Sequence, residues 1–231
     1  MLWYPPILTY HRVHPTLGPD SPTIPPDLFE KQMGILADRW HPISLVDLAA
    51  QLEQGSRIDR RTVVITFDDG TADNFEYAYP ILQQYKIPAT IFLIVSNIGK
   101  PGSLQLQHIL TMAQNGIRFG SHTLDHAYLP AVPEGRFGEE IAGSKRELER
   151  MGVGAELFSY PAGGFTTQVK ELVRRAGYRA ACTTNRGFQR FPIDRWALRR
   201  ISMRANTATP FGMWLRCSGY YGLNRRLRRP A

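Results

Sequence analysis

The sequence lacks any run of about 18 apolar residues, so we predict no membrane-spanning helix. Its first ten residues carry no positive charge and include Pro5 and Pro6, which is unlike a secretory signal. Cysteine is also scarce. The only two, Cys182 and Cys217, are too few for a disulfide scaffold and do not have the spacing of a metal site, so we expect both to be reduced and structural. These absences predict a cytoplasmic protein.

Acidic residues are outnumbered, with 20 Asp and Glu against 28 Lys and Arg, for a net charge of +8. A basic balance permits nucleic acid, anionic lipid or an acidic glycan as partner. No helix-turn-helix, zinc-finger or aromatic RNA-binding signature accompanies it, so we do not expect nucleic acid. The basic, aromatic C-terminal segment, about 207–231, has two interpretations: contact with an anionic membrane surface, or a final helix packed on the domain with a solvated basic end.

Hydrophobic residues make up 43% of the 231, enough for the core of one domain spanning 1–231. Short apolar runs alternate with amphipathic stretches, which predicts parallel strands joined by helices. The number of units favours a barrel over an open sheet. The capping box of Ser44 and Asp47 and the cap residues Asp73 and Glu76 mark two helix starts. The predicted strands are 7–10, 61–67, 90–95, 117–121, 157–160, 180–184 and 198–202.

The segment Thr66-Phe67-Asp68-Asp69-Gly70 lies at the end of the predicted strand 61–67, whose β-branched and apolar sequence is typical of a buried strand. The catalytic face of a parallel barrel lies at the carboxyl ends of its strands. Two adjacent carboxylates there repel each other unless a cation or a hydrogen-bond donor lies close. The alternative is a simple turn, because Asp and Gly favour turns.

A second polar segment, Gly120 to His126, follows another predicted strand. His122 and His126 are four residues apart, which places both rings on one side of a helical turn, within reach of one ion. Two imidazoles and one carboxylate form a catalytic zinc set, and the second carboxylate is then available as a base. Two surface histidines are the alternative, and the same ligands also suit a non-haem iron oxygenase.

A third strand ends in Phe158-Ser159-Tyr160-Pro161-Ala162-Gly163-Gly164. A Pro and Gly turn of this kind can direct backbone N–H groups at a developing oxyanion, and the alternative is an ordinary loop.

Together these motifs resemble the polysaccharide deacetylase family, the NodB-homology domain of carbohydrate esterase family four, over about residues 7–203. The family's Thr-Phe-Asp-Asp-Gly and His-Ser/Thr-x-x-His motifs are both complete. The resemblance implies an α/β fold, a deformed (β/α) barrel of about seven parallel strands. It implies Asp68 as general base, Asp69, His122 and His126 as ligands of a divalent metal, and the Tyr160 backbone N–H as oxyanion donor.

The sequence departs from the family pattern at two points. The usual third motif carries an arginine that orients the base, whereas Phe158 and Ser159 occupy that stretch, so Arg200 of the last strand is the candidate substitute. The usual late histidine is missing, because no histidine follows His126. His11 lies in a Tyr-His segment that resembles the poly-β-1,6-N-acetylglucosamine deacetylase branch, and histidine suits proton donation. A histidine that only hydrogen-bonds at the barrel rim is the alternative for His11.

The predicted function is therefore metal-dependent hydrolysis of the N-acetyl group of an N-acetylated oligo- or polysaccharide, releasing acetate and a free amino sugar. Zinc is the favoured metal, with cobalt, nickel and iron left open because the same ligands serve all four. Two alternatives remain: a non-catalytic metal- and glycan-binding relic of the fold, and an amidase acting on a small substrate.

Overall fold

The structure is a computed structural model that describes residues 4–16, 22–184, 193–204 and 209–218. Its strands are β1 (Ile7–Tyr10), β2 (Arg12–Val13), β3 (Thr23–Ile24), β4 (His41–Ile43), β5 (Thr62–Phe67), β6 (Ala89–Leu93), β7 (Arg118–Ser121), β8 (Leu157–Ser159), β9 (Ala180–Thr183), β10 (Leu198–Arg199) and β11 (Ile201–Ser202). Its α-helices are α1 (Pro26–Arg39), α2 (Leu45–Glu53), α3 (Tyr79–Gln84), α4 (Leu106–Gln114), α5 (Ser144–Arg150), α6 (Thr167–Arg175) and α7 (Pro210–Cys217).

The main sheet runs in the order β10-β9-β8-β7-β6-β5-β1-β11, and every pairing in it is parallel. Its two ends are one stretch of chain, because β10 pairs with β9 and β11 pairs with β1, with only Arg200 between them. The Arg200 N–H donates to Thr183 O at 3.1 Å, and the Met203 N–H donates to Thr9 O at 2.9 Å. The sheet thus closes into a barrel of seven parallel strands, with β10 and β11 counted as one, as predicted.

Alternate residues of the central strands pack into different clusters, as a period of two requires. Val64 and Phe92 belong to one cluster with Leu45 of α2. Val63 and Ile65 instead pack with Phe29 of α1 in another cluster. All six residues of β5 are buried, which explains its continuous apolar and β-branched sequence.

The predicted strands are present, with bounds shifted by at most two residues, and the predicted strand 198–202 is divided into β10 and β11 at Arg200. Short β4, which pairs with the start of β5, and the β2–β3 pair were not predicted, since two or three residues give no periodicity. Two π-helical turns, Asn74–Ala78 and Gly138–Gly143, lead into α3 and α5. No helix among the described residues is long and apolar enough to cross a membrane.

Both cysteines are buried and without a disulfide, as predicted. Burial raises the pKa of each thiol to about 12, so both are protonated at neutral pH.

Candidate active site

The two adjacent carboxylates stand at the carboxyl end of β5. The Asp68 N–H still donates to Tyr10 O of β1 at 3.0 Å, so the ladder continues up to Asp68. Asp69 then has φ 74° and Gly70 φ 66°, which turns the chain sharply. A Cβ at Gly70 would lie 2.6 Å from Leu93 Cδ2, so only glycine fits this left-handed turn. The turn predicted as the alternative is real, and it also separates the two carboxylates.

Asp68 forms a buried, two-pronged ion pair with Arg200. Arg200 Nη1 donates to Asp68 Oδ1 and Nη2 to Oδ2, both at 2.7 Å. Neither side chain is more than 4% exposed. Ser159 Oγ accepts from Arg200 Nη2 at 2.8 Å and lies 3.3 Å from Asp68 Oδ1. The predicted substitute arginine therefore contacts the predicted base directly.

The protonation state of Asp68 follows from this pairing. Burial alone would raise the pKa of its carboxyl, but the charge and hydrogen bonds of Arg200, with contributions from His122 and His11, hold that pKa well below its ordinary value. Asp68 is therefore an anion at neutral pH and can accept a proton.

Asp69, His122 and His126 come together beside this pair. Asp69 Oδ1 lies 3.7 Å from His122 Nε2 and 3.5 Å from His126 Nε2. The predicted helical turn between the histidines is wrong, since residues 122–126 form a loop in which Thr123 has φ 67° and His126 has φ 60°. The rings converge nonetheless, at a centroid distance of 4.9 Å.

The donor set fits a divalent metal. One atom from each of the three residues lies within 4.8 Å of the other two. Asp69 Oδ1 is buried without a hydrogen-bond partner, an orphaned anionic oxygen that a cation would satisfy. His122 Nδ1 donates to Ser159 O at 2.8 Å, which leaves Nε2 free to coordinate. Burial lowers the pKa of His122 against the opposing charges of Asp68 and Asp69, which favours the neutral, ligating ring.

His11 directly follows β1, the strand that pairs with β5. Its Nδ1 is buried without a hydrogen-bond partner, and its carbonyl accepts from Asn74 Nδ2 at 2.9 Å. The structure therefore brings His11 to the same end of the barrel as the carboxylates.

The segment around His11 is tied down by Asp73. This buried carboxylate accepts from Arg12 Nε at 2.8 Å and from the Val13 N–H at 3.2 Å. We predicted Asp73 as a helix cap, but it makes no capping hydrogen bond, because its oxygens serve Arg12 and Val13 instead.

Tyr160 is placed differently from the other site residues. Its N–H donates to Cys182 O at 3.0 Å and so belongs to the β8–β9 ladder, and its hydroxyl donates to Trp196 O at 2.9 Å. The Tyr160 N–H is therefore engaged by the sheet rather than presented to a substrate, which is contrary to the oxyanion role that the resemblance implies.

Sequence reasoning missed two site residues. Ser159, which contacts Asp68, Arg200 and His122, stands where the family pattern expects arginine, and that departure was the available signal. Asn74 lies inside a predicted helix and gave no signal, because a lone amide in a helix is ordinary.

The carboxyl ends of the barrel strands thus carry a His₂Asp donor set compatible with a divalent metal, beside a buried Asp–Arg pair. The polysaccharide deacetylase family model matches residues 55–181. The chain belongs to the polysaccharide deacetylase family.

Curated relatives support this assignment. The chain is 31% identical over 213 residues to a Bacillus subtilis (strain 168) protein named "Putative polysaccharide deacetylase YxkH", covering 91% of this chain and 75% of that one. It is 27% identical over 136 residues to poly-beta-1,6-N-acetyl-D-glucosamine N-deacetylase of Staphylococcus aureus (strain MSSA476), covering 52% of this chain and 47% of that protein. The chain thus spans about half the length of the second relative.

Among solved structures, the chain is similar to the Streptococcus pyogenes deacetylase PplD in complex with acetate. The TM-score is 0.85 at 26% sequence identity, and the match covers 93% of this chain and 99% of that one. Most of the chain therefore has a counterpart in a deacetylase structure.

Proposed function

We propose that the protein hydrolyses the N-acetyl group of an N-acetylated glycan, releasing acetate and a free amino sugar, in a metal-dependent reaction. The observation that carries the proposal is the buried Asp68–Arg200 pair beside the Asp69, His122 and His126 donor set. A site of this kind pairs an ionised base with three ligands and leaves positions open for water and substrate. Zinc is the favoured metal, with cobalt, nickel and iron as alternatives.

In this proposal different residues carry out different steps of the hydrolysis. The divalent metal, when bound, supplies a Lewis acid that acidifies water and polarises the acetamide carbonyl. Asp68 accepts a proton from the attacking water, and Arg200 and Ser159 hold its carboxylate in place. His11 donates a proton to the departing amine as the carbon–nitrogen bond breaks, which leaves acetate and the amino sugar.

Two observations favour a glycan substrate over a small amide. A relative found by sequence is named for poly-beta-1,6-N-acetyl-D-glucosamine, and the structural relative named a deacetylase contains acetate, the product of such a reaction. The missing late histidine does not by itself favour the non-catalytic relic, because His11, which follows the strand beside β5, can supply the proton in its place.

The test is acetate release from N-acetylglucosamine oligomers by chelator-stripped protein, reloaded with Zn²⁺ or Co²⁺. We expect release only from reloaded protein, abolished by Asp68→Asn and unaffected by the exposed control Asp38→Asn. Because Asn keeps the shape of Asp68 but cannot accept the proton, the loss would be about 10²-fold or more.

Other outcomes point elsewhere. Metal binding without release from any acetylated glycan, combined with hydrolysis of cyclic amides, would replace the proposal with the small-substrate amidase. Metal binding without either activity would favour the relic.

A further inference from the structure

A buried carboxylate holds the loop that joins the two predicted metal-ligating histidines. Glu140 lies in the π-helical turn Gly138–Gly143 and its side chain is fully buried. Its Oε2 accepts the backbone N–H groups of Leu124 and Asp125, each at 3.1 Å. Its Oε1 accepts from Arg136 Nη2 at 2.6 Å, so both oxygens are engaged.

This loop needs such support. Its residues Thr123 and His126 hold left-handed backbone conformations that cost free energy in residues other than glycine. The carbonyls of Thr123 and Leu124 accept from the N–H groups of the segment after β6, Val95 at 3.3 Å and Ser96 at 2.9 Å. Glu140 satisfies the N–H groups on the other side, so the loop is fixed from two directions.

The fixed loop decides where the histidine rings point. His122 is held a second time, through Nδ1 and Ser159 O, whereas His126 is 46% exposed. The position of the His126 ring therefore depends chiefly on the backbone that precedes it. Glu140 contacts that backbone directly, at Leu124 and Asp125, the two residues just before His126.

Glu140 is not itself a member of the donor set. One oxygen faces two backbone N–H groups and the other faces a guanidinium, so neither is directed at the three ligands Asp69, His122 and His126. Arg136, in the 3₁₀ turn just before the π-helical turn, also donates to Asp125 Oδ2 at 3.1 Å and so links the same stretch of chain to the loop a second time.

We infer that Glu140 is a positioning residue for the metal site, acting through the backbone of Leu124 and Asp125 to set His126 for coordination. The inference rests on the proposed function in that it takes Asp69, His122 and His126 as the metal ligands. It predicts that metal affinity, and not only activity, depends on the Glu140 carboxylate. Groups that orient metal ligands are typically worth about 10–100-fold in affinity.

The experiment is a Co²⁺ titration of the full chain after chelation, followed by visible absorption and by competition with Zn²⁺. We expect Glu140→Ala to weaken Co²⁺ binding by about 10–100-fold. Glu140→Gln keeps an oxygen that can accept one loop N–H, so its loss should be smaller. The exposed neighbour Glu139→Gln is the matched control and should bind as the wild type does.

A thermal melt of each metal-free variant shows whether it is folded at the titration temperature. If Glu140→Ala does not fold, the decision passes to Glu140→Gln, which retains the side-chain volume. A folded Glu140→Ala, or in its absence Glu140→Gln, that binds Co²⁺ with wild-type affinity and absorption would overturn the inference.

The assay separates this inference from the proposed function. Wild-type protein that binds Co²⁺ but releases no acetate defeats the proposed function, while the affinities still decide the role of Glu140. Wild-type protein that binds neither Co²⁺ nor Zn²⁺ overturns both.

Discussion

At the scale of single residues, one left-handed turn places the two adjacent aspartates, Asp68 and Asp69, in different surroundings. Asp68 continues the strand and lies buried against Arg200, whereas Asp69 faces the histidines with an orphaned oxygen. Two adjacent carboxylates would otherwise repel each other. Here Asp68 is paired with the Arg200 cation, and Asp69 belongs to the donor set that fits a divalent cation. The Thr-Phe-Asp-Asp-Gly motif therefore needs both aspartates and the glycine after them.

Replacing Arg200 tests the stability side of this arrangement. Arg200→Met leaves Asp68 as an unpaired buried carboxylate, so we expect a loss of about 3–5 kcal/mol in the free energy of unfolding. Urea denaturation of the metal-free protein measures it. The exposed control Arg118→Met should stay within about 0.5 kcal/mol of wild type.

The double variant Asp68→Asn with Arg200→Met sharpens this test. It should lose less stability than the sum of the two single variants, because neither partner is left charged alone. Additive losses would show that the pair is not coupled. Arg200 holds the pKa of Asp68 below its ordinary value, against the effect of burial. The ion pair therefore stabilises the folded protein fully above the pKa that this carboxyl has in the unfolded chain. That stabilisation is lost as the pH falls toward the lower pKa of Asp68 in the folded protein.

At the scale of secondary-structure elements, both π-helical turns support the site. The turn Gly138–Gly143 carries Glu140, and the turn Asn74–Ala78 begins with Asn74, which binds the carbonyl of His11. An extra residue in a helical turn redirects side chains, and such turns are frequent at functional sites. In this barrel each π-helical turn directs one buried polar side chain, Asn74 or Glu140, at a neighbouring loop rather than along its own helix.

Asn74→Ala is expected to reduce catalysis while leaving metal binding intact. The substitution removes the hydrogen bond to His11 O, so the proposed general acid loses its fixed position, with a fall in kcat of about 10-fold expected from a misplaced group. Steady-state acetate release and a Co²⁺ titration measure the two effects separately. The control Asn115→Ala removes an exposed amide from the end of α4.

A fall in Co²⁺ affinity as large as the fall in kcat would show that Asn74 acts on the whole site rather than on His11. Unchanged kcat in a folded Asn74→Ala protein would remove the argument for the placement of His11.

The elements with periodic sequence were predictable, and those made by tertiary contacts were not. The Ser44 helix cap is confirmed, with the Asp47 N–H donating to Ser44 Oγ at 3.1 Å, and Asp47 Oδ2 accepts from the Ser44 hydroxyl at 2.7 Å. The histidine loop was expected to be helical because spacing alone cannot distinguish a helix from a loop that Glu140 holds. Asp73 was expected to cap a helix, yet its carboxylate accepts a hydrogen bond from Arg12, which is distant in sequence.

At the scale of the whole molecule, the proposed metal ligands lie on the loops after β5 and β7. Ligand binding to the folded state alone stabilises it by about 2.7 kcal/mol when the free ligand is 100 times its Kd. For a chain of this size each kcal/mol raises Tm by about 2–4 °C. We therefore expect Zn²⁺ to raise the Tm of stripped protein by about 5–10 °C.

Calorimetry of Asp69→Asn with and without Zn²⁺ tests the origin of that shift. Asn tolerates the left-handed backbone at position 69, so the turn is preserved while the anionic ligand is lost. The shift should shrink sharply in Asp69→Asn and persist in Asp38→Asn. An equal shift in both variants would place the stabilising ion elsewhere.

The C-terminal region poses the remaining question at this scale. Met213 and Cys217 of α7 are buried, and Arg216 Nη1 donates to Ser202 O, so this helix packs on the barrel as one of the two interpretations expects. The rest of the predicted basic segment, residues 207–208 and 219–231, lies outside the described residues. The same helix leaves Phe211 and Trp214 70% and 47% exposed, with their rings stacked at 6.0 Å.

Packing and membrane contact can therefore coexist, and we predict that the protein binds vesicles rich in acidic lipid. Exposed aromatic rings insert at the interface, and basic residues are attracted to anionic headgroups with a strength that salt screens. Co-sedimentation at low salt should be lost at high salt and weakened in the double variant Phe211→Ser with Trp214→Ser. The control Leu110→Ser, an exposed apolar position on α4, should sediment as the wild type does. Failure of the wild-type protein to sediment with acidic vesicles at low salt would reject membrane contact and leave α7 as a packing helix alone.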